Sequence, residues 1–161
     1  MTMKNFVTPE FKAKADPVVA RYETKRASLL EILHLTQETY GHITLDAEKE
    51  IAEYLEIAAI DVREVMTFYT LYYDKPRAKT RFNVCRTLAC ALTGGDDILR
   101  HFEEKLGIKA GHETKDGKFG LKAVECLGAC EIAPMLQVND ADFVGCLTRQ
   151  KVDELLKQAP K

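Results

Sequence analysis

Two pairs of cysteines in the second half of the chain restrict its fold more than any other feature of the sequence. Cys85 and Cys90 are separated by four residues, Cys126 and Cys130 by three, and thirty-five residues lie between the pairs. Thiols at this spacing could form disulfides, lie in the core as structural residues, or bind zinc or an iron–sulfur cluster. A shared metal site requires a fold that brings these two distant segments together.

The sequence does not favour a disulfide framework. The five cysteines are an odd number, and the C-x-x-C spacing common in redox-active thiol pairs is absent. Residues 1–16 carry scattered charges without the apolar core of a signal peptide. No apolar run reaches the roughly 20 residues that a membrane-spanning helix needs. We therefore expect a cytoplasmic protein without direct membrane insertion, whose thiols stay reduced.

Residues 17–73 show the periodicity of helices. In segment 25–41 apolar residues recur at three- and four-residue steps, and Gly41 stands where a helix-terminating glycine is expected. Thr44 can cap a second helix, and a third helical segment covers 60–73. The residues expected to face a helical core are Leu29, Leu30, Leu33, Thr36 and Tyr40 in the first helix, Ile51, Leu55 and either Tyr54 or Ile57 in the second, and Val62, Val65, Met66 and Tyr69 in the third.

The polar turn 74–79, which contains Pro76, is the expected domain boundary. Beyond it, strand and helix patterns alternate. The expected elements are a strand over 81–85, a helix over 96–107 with Ile98, Leu99, Phe102 and Leu106 inward and Gly107 at its end, a turn over 115–118, a strand over 119–125, short strands over 135–138 and 143–146 joined by 139–142, and a final helix capped by Thr148. We predict an α+β chain, with a helical bundle in residues 1–76 and a thioredoxin-like mixed sheet in residues 77–161.

Each cysteine pair follows a predicted strand, so both pairs lie in loops at one end of the sheet if those strands are parallel. Zinc takes four thiolates around one ion and accepts gaps of this length. A [2Fe–2S] cluster takes two thiolates on each of two irons and needs wider loops, in which Gly128 lets the backbone approach the sulfurs. The spacing favours the cluster and leaves zinc open.

The residues around the cysteines are similar to those of one protein family. The matching stretches are VCRTLAC (84–90) followed by LTGGDDIL (92–99), and ECLGAC (125–130) followed by Ala133-Pro134-Met135, Gln137 and Asn139-Asp140. They resemble the thioredoxin-like [2Fe–2S] subunit, the E subunit, of NADH:quinone oxidoreductase, which is respiratory complex I. The resemblance covers nearly the whole chain, although Glu23 and Arg149-Gln150 depart from the family's usual residues.

The resemblance implies that Cys85, Cys90, Cys126 and Cys130 bind one [2Fe–2S] cluster. It also implies an electron-transfer subunit of an oxidoreductase, which exchanges single electrons with FMN on a partner flavoprotein subunit that binds NADH. No NADH or FMN catalytic site is expected on this chain. The other expected partners are further subunits of the cytoplasmic peripheral arm of a membrane-bound complex. Diaphorase subunits of NAD-linked hydrogenases and formate dehydrogenases are the alternative, as is a free-standing ferredoxin.

Segment 41–69 has a pattern that also occurs in helix-turn-helix proteins, which makes DNA binding an alternative function. DNA binding requires lysines and arginines that meet the phosphates. The segment holds seven acidic residues against two basic ones, and the whole chain has a formal charge of −2. We therefore expect no nucleic-acid partner.

Several single positions carry expectations of their own. Cys146 is expected to be a small buried residue at a strand end. The four histidines are expected on helix surfaces or in loops, and the aromatic run 68–73 is expected to pack between the two halves. Whether the bond before Pro134 is cis stays open, because one sequence does not determine it.

Overall fold

Two units of the chain, divided between Pro76 and Arg77, each have a hydrophobic core of their own. The computed structural model describes residues 5–158. Residues 1–4 and 159–161, which belong to the predicted domains 1–76 and 77–161, lie outside this range. No helix within residues 5–158 is long and apolar enough to cross a membrane.

The first unit is helical. Gly41 ends its second helix in the left-handed conformation, with φ 81°, and the Thr44 side chain accepts the N–H of Ala47 at the start of the third, so both predicted boundaries are confirmed. The helices are α1 (Pro9–Val19), α2 (Leu29–Tyr40), α3 (Leu45–Leu55) and α4 (Ala59–Phe68), with a 3₁₀ helix over Lys25–Ser28.

Helix α1 corrects the expected start of the helical region at residue 17. It begins at Pro9 because the Thr8 hydroxyl accepts the N–H of Phe11 at 3.2 Å and because proline needs no N–H partner in the first turn. Pro17 lies inside this helix. Phe11 is buried against the other helices, so α1 belongs to the core of the unit.

The core of the first unit differs from the expected one on α2 and after α4. Leu30, expected inside, is 39% exposed, and Ile32 is fully buried. The buried stripe on α2 runs through Leu29, Ile32, Leu33 and Thr36, the spacing of one helix face. The other predicted residues that are buried are Ile51, Leu55, Val62 and Met66.

The aromatic run 68–73 is partly buried within the first unit and partly exposed. Tyr72 is buried in the core of the first unit, and its hydroxyl donates to the Leu30 carbonyl at 2.9 Å. Phe68 is 76% exposed, and Tyr69, expected to face the core, is 37% exposed. Tyr72 thus packs within the first unit, and packing of the run between the two halves stays a prediction.

The second unit is a five-stranded sheet in the order β2-β3-β1-β4-β5. Strands β1 and β3 are parallel, in register from Thr80↔Phe119 to Cys85↔Val124, and the remaining pairs are antiparallel. The strands are β1 (Thr80–Cys85), β2 (His112–Glu113), β3 (Phe119–Val124), β4 (Leu136–Val138) and β5 (Asp142–Val144). The sheet confirms the predicted fold class; β2, with two residues, is too short for a sequence pattern.

Helices cover this sheet and close its core. Helix α6 (Gly95–Leu106) contacts β1, β3 and α7 (Arg149–Gln158), while the short α5 (Leu88–Leu92) precedes it. Gly107 ends α6 in the left-handed conformation, as predicted. The buried core residues are Phe82, Val84, Ile98, Phe102, Leu121, Leu136, Leu147 and Val152.

Replacing Phe102 with alanine tests this core. Phe102 is fully buried, and its ring centroid lies 4.9 Å from that of Phe82. We expect Phe102→Ala to lower the free energy of unfolding by about 3–5 kcal/mol, because it leaves a cavity. Phe143→Ala is the control, since Phe143 is 47% exposed and its loss should cost under about 1 kcal/mol. Denaturant unfolding followed by circular dichroism measures both, and equal losses would contradict the described core.

Candidate metal centre

Parallel pairing of β1 and β3 places the two cysteine pairs at one end of the sheet. Cys85 is the last residue of β1 and pairs with Val124, the last residue of β3, so Cys126 follows two residues beyond that edge. The predicted common end is thus confirmed, but the expected loops are only partly correct. Cys85 lies in a strand, Cys90 in α5, and Cys130 at the start of a 3₁₀ helix over Cys130–Ile132.

The four thiols lie close enough to affect one another. Cys85 and Cys90 are within hydrogen-bonding contact, and so are Cys126 and Cys130. The Cys130 thiol also interacts electrostatically with those of Cys85 and Cys90. The structure therefore brings together all four residues that the sequence predicts as ligands.

Burial divides the site into an inner and an outer side. Cys85 and Cys90 are each 2% exposed and pack with Ala129 and Met135 in a small apolar cluster. Cys126 and Cys130 are exposed. A group held by all four sulfurs would be sheltered by the protein on one side and near the surface on the other.

Several hydrogen-bond donors surround the sulfurs. The Gly128 N–H donates to Cys126 Sγ at 3.4 Å, and Thr87 Oγ1 lies 3.3 Å from Cys85 Sγ. Backbone N–H groups of Thr87 and Leu127 also donate to Cys85, and that of Met135 donates to Cys90. Such donors stabilise thiolates over thiols.

The donors and the burial act against each other on the thiol pKa values. Burial raises the pKa of Cys85, but the hydrogen bonds from Thr87, Cys90 and the Leu127 backbone together outweigh it, and the pKa ends below its ordinary value. Burial raises the pKa of Cys90, and the neighbouring Cys126 charge raises that of Cys130. Without a cation, ionisation of Cys90 and Cys130 is therefore unfavourable, which is the condition under which metal binding displaces thiol protons.

The donor chemistry fits a cluster with two metal ions. Within residues 5–158, no group of three or more His, Cys, Asp or Glu side chains is arranged to hold a metal ion. The thiols instead form two contacting pairs, one in each segment. Two thiolates on each of two irons match two such thiol pairs, so this donor set fits a [2Fe–2S] cluster.

An ion pair that the sequence analysis did not identify connects the two segments. Arg86 Nε and Nη2 donate to Glu125 Oε1 at 3.1 and 2.7 Å. Arg86 directly follows Cys85, and Glu125 directly precedes Cys126. Their opposite charges at equivalent strand ends are a sequence signal from which this ion pair could have been predicted. Both side chains are mostly exposed, so the pair adds little stability but offsets the Glu125 charge beside the site.

Two expectations about single residues near the sheet are wrong. Cys146 is exposed, not buried, because β5 ends at Val144 and the chain turns there, with φ 49° at Cys146 and its N–H donating to the Ile132 carbonyl at 2.6 Å. His101 is only 8% exposed and lies 3.0 Å from Asp153 Oδ1, between α6 and α7. The Ala133–Pro134 bond, which the sequence left open, is cis.

Comparison with known proteins places the chain among iron–sulfur proteins. The sequence model of the thioredoxin-like [2Fe-2S] ferredoxin family matches residues 15–160. An E subunit of the NADH-quinone oxidoreductase of Rhizobium meliloti (strain 1021) is 37% identical over 91% of this chain and 86% of its own length. The E subunit from Rickettsia bellii (strain RML369-C) is 41% identical over 88% and 86%, and that from Aquifex aeolicus (strain VF5) is 38% identical over 83% and 84%.

Among solved structures, the chain is similar to part of the NAD+-reducing [NiFe]-hydrogenase in its air-oxidized state. The TM-score is 0.71 and the identity 18%, over 81% of this chain and 22% of the hydrogenase chain. The match therefore spans about a fifth of that chain. At this identity it shows a shared fold alone.

Gly128→Ala tests the backbone around the sulfurs. Gly128 has φ 78° and nothing within 4 Å of an added Cβ, so the cost of alanine comes from the left-handed conformation, about 1–2 kcal/mol. We expect the change also to displace the N–H that donates to Cys126, so that a chelator removes the bound metal faster. Gly117→Ala is the matched control, with φ 68°, the same open space and no contact with a sulfur among the described hydrogen bonds.

Metal release is followed by absorbance after addition of the chelator, and stability by thermal unfolding. Both variants should lose similar stability, but only Gly128→Ala should lose metal faster than the unmodified chain. Equal release rates from the two variants would show that the Gly128 N–H does not support the site.

Proposed function

The chain belongs to the thioredoxin-like [2Fe-2S] ferredoxin family, and we propose that it is the electron-transfer subunit of an NADH:quinone oxidoreductase. In this proposal Cys85, Cys90, Cys126 and Cys130 hold one [2Fe–2S] cluster. When bound, the cluster supplies a centre that accepts and donates one electron at a time. The observation that carries the proposal is the meeting of the four thiols at the end of β1 and β3, with backbone donors on three of them.

Each side of the site has its own task in this proposal. Cys85 and Cys90 anchor the cluster from the apolar interior, where Met135 and Ala129 exclude water. Cys126 and Cys130 hold it from the exposed side, where a redox partner can approach. The exposed side is therefore the route by which we propose that electrons enter and leave.

The proposed electron donor is FMN on a partner flavoprotein subunit that binds NADH. Two observations support a partner of this kind. The sequence has no G-x-G-x-x-G dinucleotide motif of its own, and its relatives at 37–41% identity are named as subunits of NADH-quinone oxidoreductase. A one-electron centre beside a flavin is useful, because hydride delivers two electrons together whereas a flavin can pass them on singly.

Exposed leucines beside the site favour a bound subunit over a free-standing ferredoxin. Leu88 is 75% exposed and Leu92 80% exposed. They lie four residues apart on α5, on either side of Cys90. Exposed apolar side chains that form a contiguous patch mark sites of contact with other proteins. We propose that other subunits of a cytoplasmic peripheral arm surround this chain.

A diaphorase subunit of an NAD-linked hydrogenase is the second candidate function. The observation in its favour is the fold shared with the NAD+-reducing [NiFe]-hydrogenase. The higher identity to the NADH-quinone oxidoreductase subunits favours the first candidate. Mass spectrometry of the proteins that co-purify with this chain from its native source distinguishes them, since a hydrogenase large subunit would appear only in the second case.

Single Cys→Ser variants test the ligand set. The unmodified chain should contain two irons and two acid-labile sulfides and become paramagnetic on reduction. Serine at Cys85, Cys90, Cys126 or Cys130 should abolish the cluster or change its spectrum, because each supplies one of four thiolates. Cys146→Ser should leave iron content and spectrum unchanged, since that exposed thiol is the matched control. Stoichiometric zinc without sulfide, or loss of the cluster in Cys146→Ser alone, would disprove the assignment.

Activity of the isolated chain tests the proposed division of labour. The purified chain, with its cluster, should neither retain FMN nor oxidise NADH, because these functions are assigned to the partner. Chemically reduced chain should nevertheless pass its electron to a one-electron acceptor such as cytochrome c. NADH oxidation by the chain alone, at a rate proportional to its concentration, would show that a nucleotide site is present here.

A further inference from the structure

Thr87 does not use its hydroxyl as the other helix-capping threonines do. A threonine at this position normally accepts the backbone N–H three residues ahead. Thr8, Thr44 and Thr148 do so at 3.2 Å, and so does Thr24, at 3.3 Å. Thr87 stands at the same position before α5, yet its side chain makes no capping bond among the described residues. Its Oγ1 lies instead 3.3 Å from Cys85 Sγ.

The direction of this hydrogen bond follows from the state of the sulfur. A hydroxyl can donate or accept, but a thiolate has no proton and can only accept. Once Cys85 is a metal ligand it is a thiolate, so Thr87 Oγ1 must be the donor. Because Cys85 is 2% exposed, water does not readily replace the hydroxyl if it is removed, and the bond acts in a medium of low polarity.

We propose that Thr87 is a positioning residue whose hydroxyl donates to Cys85 Sγ and raises the reduction potential of the [2Fe–2S] cluster. This inference rests on the proposed function. Reduction adds an electron and increases the negative charge on the sulfurs, so a donor stabilises the reduced form more than the oxidised form. Hydrogen bonds to the sulfurs are among the factors that set the potentials of such clusters.

The side chain of Thr87 differs in kind from the other donors at this site. Those on Cys85, Cys90 and Cys126 are otherwise backbone N–H groups, from Thr87 itself, Leu127, Met135 and Gly128. Backbone donors persist whatever side chain the residue carries. Apart from the cysteines themselves, the Thr87 hydroxyl is thus the one side-chain donor to a sulfur among the described residues. A substitution can remove it without changing the backbone.

Thr87→Val and Thr87→Ser in the full chain test the inference. Valine keeps the shape and removes the donor, whereas serine keeps the donor. We expect the ratio of reduced to oxidised cluster at a fixed ambient potential to fall about three- to tenfold in Thr87→Val; tenfold corresponds to 59 mV for a one-electron couple. Thr87→Ser should stay close to the unmodified chain. Redox titration with the reduced-state paramagnetic signal as readout measures the ratio.

Thr93→Val is the matched control. Thr93 follows the same short helix, and its hydroxyl donates to the carbonyls of Ala89 and Cys90 at 2.8 and 3.2 Å, with no described bond to a sulfur. Its loss should leave the potential unchanged. Unfolding temperatures should be similar for Thr87→Val and the unmodified chain, because no capping bond is lost.

The outcomes separate this inference from the proposed function. An unmodified chain without iron and sulfide would overturn the proposed function itself. With the cluster present, the tuning role is overturned if Thr87→Val keeps the normal potential, if Thr87→Ser shifts it as far, or if Thr93→Val shifts it equally. Should valine prevent cluster assembly, Thr87→Ala replaces it. If Thr87→Val and Thr87→Ala both lack the cluster while Thr87→Ser contains it, the hydroxyl is needed to hold the cluster rather than to set its potential. That result would also overturn the inference.

Discussion

The parallel pairing of β1 with β3 is the constraint on which the metal centre depends. Parallel neighbours cannot be joined by a tight turn and need a crossover of a dozen or more residues. Residues 86–118, most of which lie between the cysteine pairs, supply it, and α6 within them packs against both strands. The long interval is therefore structural: it lets two segments distant in sequence end side by side, with Cys85 level with Val124.

Four thiols lie together at one edge of the sheet, and the protein stabilises the thiolate form of only some of them. Backbone donors and Thr87 favour a thiolate at Cys85, but burial and neighbouring charge disfavour ionisation of Cys90 and Cys130. In the proposed function, the rest of the compensation comes from metal cations. Metal binding and closure of the two segments are then coupled, since each stabilises the other.

Capping residues in the sequence correctly predicted helix ends, because those ends depend on neighbouring residues alone. Gly41, Thr44 and Gly107 end or begin helices by capping, and all three are confirmed. The five-residue α5 escaped prediction because it is too short to show a helical period. Cys146 was misjudged because a contact distant in sequence fixes the backbone there: its N–H donates to the Ile132 carbonyl, and Gly145 passes so close to Ile132 that an added Cβ would lie 2.3 Å from Ile132 Cβ.

Backbone features of this chain define its fold, whereas individual side chains modify the site. Strand pairing and backbone N–H donors require only that the chain adopt this fold, and similarity to the NAD+-reducing hydrogenase at 18% identity shows how far sequences can diverge while that fold persists. The fold alone consequently does not specify the redox partner or the potential. We propose that those properties depend on side chains at the edge of the sheet. Here they are the exposed Leu88 and Leu92, the Arg86–Glu125 pair and the Thr87 hydroxyl.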